Sequence, residues 1–165
     1  MKTKIFTTLT VLLVLISFAS VSGQSSSPFN GEWKINKEKS VQIDNNLFLS
    51  KIKIELKTDS ILTVRIYENA YGEQYPFEEN LSLDGKDCKI VIYEMPRTSK
   101  ATLSAIDGSI VIESTITFYR DGVEDYFTAK EIWKVDNTSK ILTAEFTNSS
   151  SAGTFSATHY FDKLQ

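Results

Sequence analysis

Phe29-Asn30-Gly31-Glu32-Trp33-Lys34-Ile35 is the stretch whose reading decides the fold of this chain. A glycine two residues ahead of a tryptophan, followed by Lys-Ile, is a common opening for the first strand of a closed antiparallel barrel. The chain that follows is able to wrap back onto such a strand, because almost all of it alternates with period two between turn residues.

Lys51 to Lys57 alternates charge with Ile52, Ile54 and Leu56, and Thr58-Asp59-Ser60 turns the chain. Leu62, Val64 and Ile66 then alternate with Thr63 and Arg65, which predicts a hairpin with the apolar set inward. Phe77 to Leu83 reads as a strand, and Asp84-Gly85 is a turn signal. Lys89 to Tyr93 is the next strand, with Pro96 expected to end it because proline cannot donate to a ladder. Lys100 to Ile106 pairs across Asp107-Gly108 with Ser109 to Tyr119, where Ile110, Ile112, Ile116 and Phe118 share a face. After Asp121-Gly122, Phe127, Ala129, Trp133 and Val135 share a face that Glu131 interrupts. Leu142, Ala144 and Phe146 follow, and the last strand aligns Phe155, Ala157, His159 and Phe161. The nearest helical candidate is Asn36 to Phe48, with room for one or two turns.

Short strands joined in sequence, with turn signals about every 8 to 12 residues, predict an all-β sandwich or barrel. Up-and-down connections favour the barrel, since closure removes edges that invite aggregation. The expected fold is an antiparallel up-and-down β-barrel of about eight to ten strands, the size at which an interior first holds one small ligand.

Upstream of the motif, Lys2 and Lys4 precede an apolar run from Leu9 to Phe18, and Val21-Ser22-Gly23 supplies small residues. That order predicts an export signal over residues 1–23 with cleavage after Gly23. The apolar run of about ten residues is short of the roughly 20 a spanning helix needs, so no integral membrane span is expected after cleavage. Residues 24–28 form a short linker, and 29–165 form one domain able to bury its own core. The protein is expected to be exported, periplasmic or extracellular, and monomeric.

The formal net charge is −3, with acidic and basic residues interspersed. No basic stripe of the kind nucleic-acid binding requires is present. Cys88 is the single cysteine, so no internal disulfide is available and the residue reads as a small packing group.

Gly31-x-Trp33 resembles the lipocalins and the wider calycin group, in which that tryptophan packs across the closed end of the barrel. Phe29-x-Gly31-x-Trp33-Lys34-Ile35 is also similar to the first strand of intracellular fatty-acid-binding proteins, and Phe161-Asp162-Lys163 to the last strand of both groups. Secreted lipocalin-like domains of bacteria begin with a Gly-x-Trp-Lys strand followed by Lys-Ser, here Lys39-Ser40. The resemblance covers the two ends of the domain and the strand rhythm between them. It implies a barrel with Gly31, Trp33 and Lys163 as its fold signature, Lys163 lying over the indole where lipocalins place an arginine. The Thr-Asp-Tyr loop of lipocalins is absent. Fatty-acid-binding proteins grip a carboxylate with an Arg-x-Tyr pair in the last strand, and the matching positions here, His159 and Phe161, do not reproduce that grip.

No catalytic set emerges from the residues. A Ser-His-Asp or Cys-His device would need His159, the single histidine, as its base, and no Gly-x-Ser-x-Gly elbow is present. One histidine and one cysteine do not make a transition-metal site, and Asp121, Glu124 and Asp125 match no calcium-loop spacing. Glu78-Glu79 and Glu124-Asp125 are adjacent pairs whose members point to opposite faces of a strand. Glu113 faces outward by alternation. Glu131 falls on the inner face, as a polar anchor for a ligand or as the mark of a register slip.

The expectation is a non-enzymatic binding protein, without cofactor or metal, that holds a small apolar or amphipathic ligand. The candidate contacts are Ile54, Val64, Ile112, Ile116, Phe127, Glu131, Trp133 and His159. The alternatives are a filled barrel acting as an envelope interaction module, or a lipocalin-type enzyme using Cys88 or His159.

Overall fold

Residues 27–41 and 46–165 are described by the computed structural model. The expected export signal and residues 24–26 of the linker lie outside the described residues, as do residues 42–45 of the helical candidate. The described part of that candidate is a turn at 37–39 and the start of a strand at Leu47, so no helix is found there.

Among the described residues, ten strands follow in order: β1 (Gly31–Ile35), β2 (Leu47–Leu56), β3 (Ser60–Asn69), β4 (Gln74–Ser82), β5 (Cys88–Ile92), β6 (Met95–Leu103), β7 (Ile110–Arg120), β8 (Val123–Asp136), β9 (Ile141–Ser150) and β10 (Gly153–Lys163). They form one antiparallel sheet in the order β4-β3-β2-β1-β10-β9-β8-β7-β6-β5, an up-and-down barrel in which the first and last strands, β1 and β10, pair with each other. Closure is nearly complete. The edge strands β4 and β5 share no ladder, and the seam is bridged instead by side chains and by an isolated bridge between Asp84 and Thr102.

The fold signature is a single packed unit. Trp33 is fully buried, its Nε1–H donates to the Phe29 carbonyl at 2.8 Å, and it faces Ile52 on β2 and Lys163 on β10. The Lys163 ammonium lies 5.0 Å from the indole centroid and donates to the Pro28 carbonyl at 3.3 Å. Gly31 makes room for it. A Cβ there would sit 2.9 Å from Lys163 Cε, and its φ of +129° is one that side chains disfavour.

Above Trp33 the lower barrel is packed solid with Ile52, Ile54, Ile61, Leu81, Ile110, Ile112, Trp133, Leu142 and Phe161. Burying each such side chain contributes roughly 1.5–3 kcal/mol, and this plug takes the place of disulfides. Cys88 is free and packs at the margin of the plug.

Two strands depart from the expected register or limits. In β3 the inward residues are Ile61, Thr63 and Arg65, and Leu62, Val64 and Ile66 lie on the outer face. Val64 pairs there with Lys53 and Glu78, so it does not face the interior. Both faces of β3 carry aliphatic residues, and burial of the charged Arg65 decides which turns inward. Pro96 does not end a strand either. A tight turn at Tyr93 and Glu94, both with positive φ, lets β6 begin at Met95, and Pro96 pairs with Val91. The ladder to β7 starts only at Arg97, so proline's missing donor goes unneeded.

Candidate functional site

The barrel is layered along its axis. The apolar plug fills the lower part, a layer of charged side chains lies above it, and a cavity of about 1060 Å³ opens above that.

The charged layer is built by inward positions of four strands. Arg65 (β3), Glu79 (β4), Arg97 (β6) and Glu131 (β8) are all buried, two guanidinium groups against two carboxylates. Arg65 Nη1 donates to Glu131 Oε1 at 2.6 Å, and its Nη2 lies 3.8 Å from Glu79 Oε2. Arg97 grips Glu79 in bidentate fashion, from Nε at 2.8 Å and Nη2 at 3.2 Å, and Ser99 Oγ donates to the same carboxylate. Trp133 Nε1 donates to Glu131 Oε2 at 3.0 Å. Glu79 stands on an edge strand and Arg97 and Ser99 on the far side of the seam, so this layer closes the barrel where the backbone ladder stops.

Electrostatics follow from that pairing. Burial works against the charge on Arg65, yet the nearby carboxylate of Glu131, reinforced by Glu79, raises its pKa well above the ordinary value. Burial also opposes ionisation of Glu79, but the hydrogen bond from Arg97 and the charge of Arg65 outweigh it and hold the carboxyl below its usual range. The Tyr67 phenol is pushed up by burial, an effect only partly offset by Arg65.

Aromatic rings flank this layer, Phe77 and Tyr67 on the cavity side and Trp133 on the plug side. The Arg65 and Arg97 guanidiniums each lie 5.3 Å from the Phe77 centroid, Arg65 lies 5.0 Å from that of Trp133, and Tyr67 stacks on Phe77 at 6.2 Å. Phe127, Phe146, Phe155, Ile116 and Ala129 complete the cavity wall, with His159 tilted against Phe146 at 4.9 Å. The mouth is lined by Asn46, Asn69, Asn148, Ser150, Tyr75 and Tyr93. Arg97 and Glu131 form the charged part of the floor.

The residues expected to touch a ligand divide into three groups. Ile116, Phe127, Glu131 and His159 line the cavity together. Ile54, Ile112 and Trp133 point inward but lie below the charged layer, in the plug, where neighbouring side chains leave no space. Val64 is on the outer wall. Glu131 is thus a buried anchor in correct register, and its first partners are Arg65 and Trp133.

Sequence reasoning missed Arg65, Glu79, Arg97 and Ser99. The signal was present in two strands: Phe77-x-Glu79-x-Leu81 and Arg97-x-Ser99-x-Ala101 each place a polar residue in period with apolar ones. Glu113, expected outside, is on the outer face with Lys100 at 3.0 Å and Lys130 at 3.7 Å. Among the described residues, no group of histidine, cysteine and carboxylate side chains could hold a metal ion.

No family model matches the chain, and no curated protein matches it. Among solved structures, the chain is similar to zebrafish ileal bile acid-binding protein complexed with cholic acid. The TM-score is 0.55 at 13% identity, covering 84% of this chain and 100% of that one. The likeness is one of fold; this chain's described residues form a ten-stranded antiparallel sheet, more strands than the eight of a lipocalin.

Proposed function

We propose that this protein binds a small apolar or amphipathic molecule inside its barrel, without catalysing a reaction. The observation that carries the reading is the cavity of about 1060 Å³, open at one end, with aromatic walls over a polar floor. Its size matches the upper end of the roughly 300–1,000 Å³ common for ligand pockets, and apolar walls with few convergent polar groups are the usual make-up of such sites. A solved structure of similar fold is that of a bile acid-binding protein complexed with cholic acid, which supports a binding role for this architecture. A filled barrel acting only as an interaction module would have no use for such a space.

The binding takes place outside the cytoplasm in this proposal, on the strength of the three-zone signal at residues 1–23. The fold is of calycin type, with Gly31, Trp33 and Lys163 closing its lower end. The test is a titration with Nile red, an uncharged apolar dye. Its emission should rise and saturate on wild-type protein, and Ala129→Trp, which fills the cavity from its wall, should weaken binding by roughly tenfold or more. A dye response that is absent, or that is equal in both proteins, contradicts the proposal.

A further inference from the structure

The floor of the cavity carries information about the ligand that volume alone does not. Two guanidiniums and two carboxylates meet there, and their formal charges cancel. Each carboxylate is already engaged twice or more: Glu79 by Arg97, Arg65 and Ser99, and Glu131 by Arg65 and Trp133. Neither arginine is a spare cation. A ligand carboxylate reaching this floor would add a third negative charge beside Glu131, with no unpaired positive charge to receive it. Removing an ion from water without a partner is costly, and a ligand ammonium meets the converse problem at Arg97.

A hydroxyl meets no such obstacle. Glu79 takes Nε and Nη2 of Arg97, leaving Nη1 as a donor, and a carboxylate oxygen has lone pairs beyond one bond. A ligand O–H can therefore accept from Arg97 and donate to Glu131, both of which line the cavity. At the mouth, Asn46, Asn69, Asn148 and Ser150 again offer polarity without charge.

Building on the binding reading above, we infer that the ligand is an uncharged lipid bearing a hydroxyl, a long-chain or polycyclic alcohol, with the hydroxyl seated between Arg97 and Glu131. Discrimination arises because the floor is electrically balanced, and any change in that balance should change the preferred head group.

Three probes with one chain and different heads separate the possibilities: 1-dodecanol, dodecanoate and dodecylammonium, titrated by calorimetry at about pH 8, where the acid is ionised and the amine protonated. Wild-type protein should bind the alcohol roughly tenfold or more tightly than either ion. Glu131→Gln removes one negative charge and should bring dodecanoate level with or ahead of the alcohol. Arg97→Gln should shift preference towards dodecylammonium. If wild-type protein prefers dodecanoate or dodecylammonium, the inference is overturned while the binding reading stands. If all three fail to bind, both are overturned. The wild-type comparison decides the question even if a floor variant does not fold.

Discussion

Arg65 on β3 donates to Glu131 on β8 at 2.6 Å across the interior of the barrel, from opposite halves of the sheet order and 66 residues apart. The contact divides the barrel into two compartments. Below it the inward positions are packed and, apart from residues such as Thr63, apolar; above it the walls stand apart around a cavity.

Breaking this pair from one side should be expensive. Arg65→Met leaves Glu131 and Glu79 with less positive charge than they need, and should cost about 3–5 kcal/mol in urea denaturation. Arg65→Met combined with Glu131→Gln removes both charges while keeping an acceptor for Trp133. The double variant should be more stable than Arg65→Met alone, giving a favourable coupling in a double-mutant cycle. Additive effects would show that the pair does not act as a unit.

Stability should fall on both sides of neutral pH. Glu79 has a folded pKa below its ordinary 4.5, so its contribution is complete above that value and is lost as pH drops through the folded pKa. Tyr67 has a folded pKa above its ordinary 10.0, so its contribution is present below that value and declines as pH rises past it. Denaturation midpoints should be flat from about pH 5 to 9 and drop beyond both ends. Glu79→Gln should lower the plateau and flatten the acid limb.

Gly31→Ala should destabilise the barrel without touching its cavity. The added Cβ meets Lys163 Cε at 2.9 Å in a backbone conformation side chains disfavour, which costs on the order of 1–3 kcal/mol. Adding Lys163→Ala removes the contact and not the backbone strain, so recovery in thermal unfolding should be partial. Full recovery would assign the whole cost to the clash.

Position along β3 and β7 should matter more than residue type. Ile116→Ser, on the cavity wall, should weaken Nile red binding, and Val64→Ser, on the outer face, should leave affinity unchanged. Equal losses from both would contradict the register of β3.

Most of the architecture was legible because period-two alternation and turn residues are local signals. β7 to β10 fall into place from them, and Ile110 to Ile116 and Phe155 to Phe161 face inward as the pattern requires. β3 was not legible in the same way. Ile61-Thr63-Arg65 and Leu62-Val64-Ile66 are both acceptable faces until the carboxylates that receive Arg65 are known, and these come from β4 and β8. Pro96 misled for a related reason, since whether a proline harms a ladder depends on how far the neighbouring strand extends. The split of the candidate site had the same origin. Ile54, Ile112 and Trp133 share an inner face with Ile116 and Phe127, and alternation reports the face of a residue and not its height along the barrel. Height is set by cross-strand register.

The proposed export signal over residues 1–23 can be tested separately. Expressed in full in a bacterium with a secretory pathway, the protein should be recovered from the periplasm or medium with a mass beginning at Gln24. Retention of residues 1–23 in the recovered protein would contradict cleavage after Gly23.

In the proposed mode of binding, a ligand occupies the space above the Arg65–Glu131 layer and leaves the space below it untouched. Methyl NMR of isoleucine-labelled protein titrated with 1-dodecanol tests this most directly. Ile116 and Ile92 line the cavity, and Ile54, Ile61 and Ile112 are sealed in the plug. Saturable shifts are expected at Ile116 and Ile92, with the plug methyls unmoved. Shifts confined to Ile54, Ile61 and Ile112, or no shift at any isoleucine, would overturn this mode of binding.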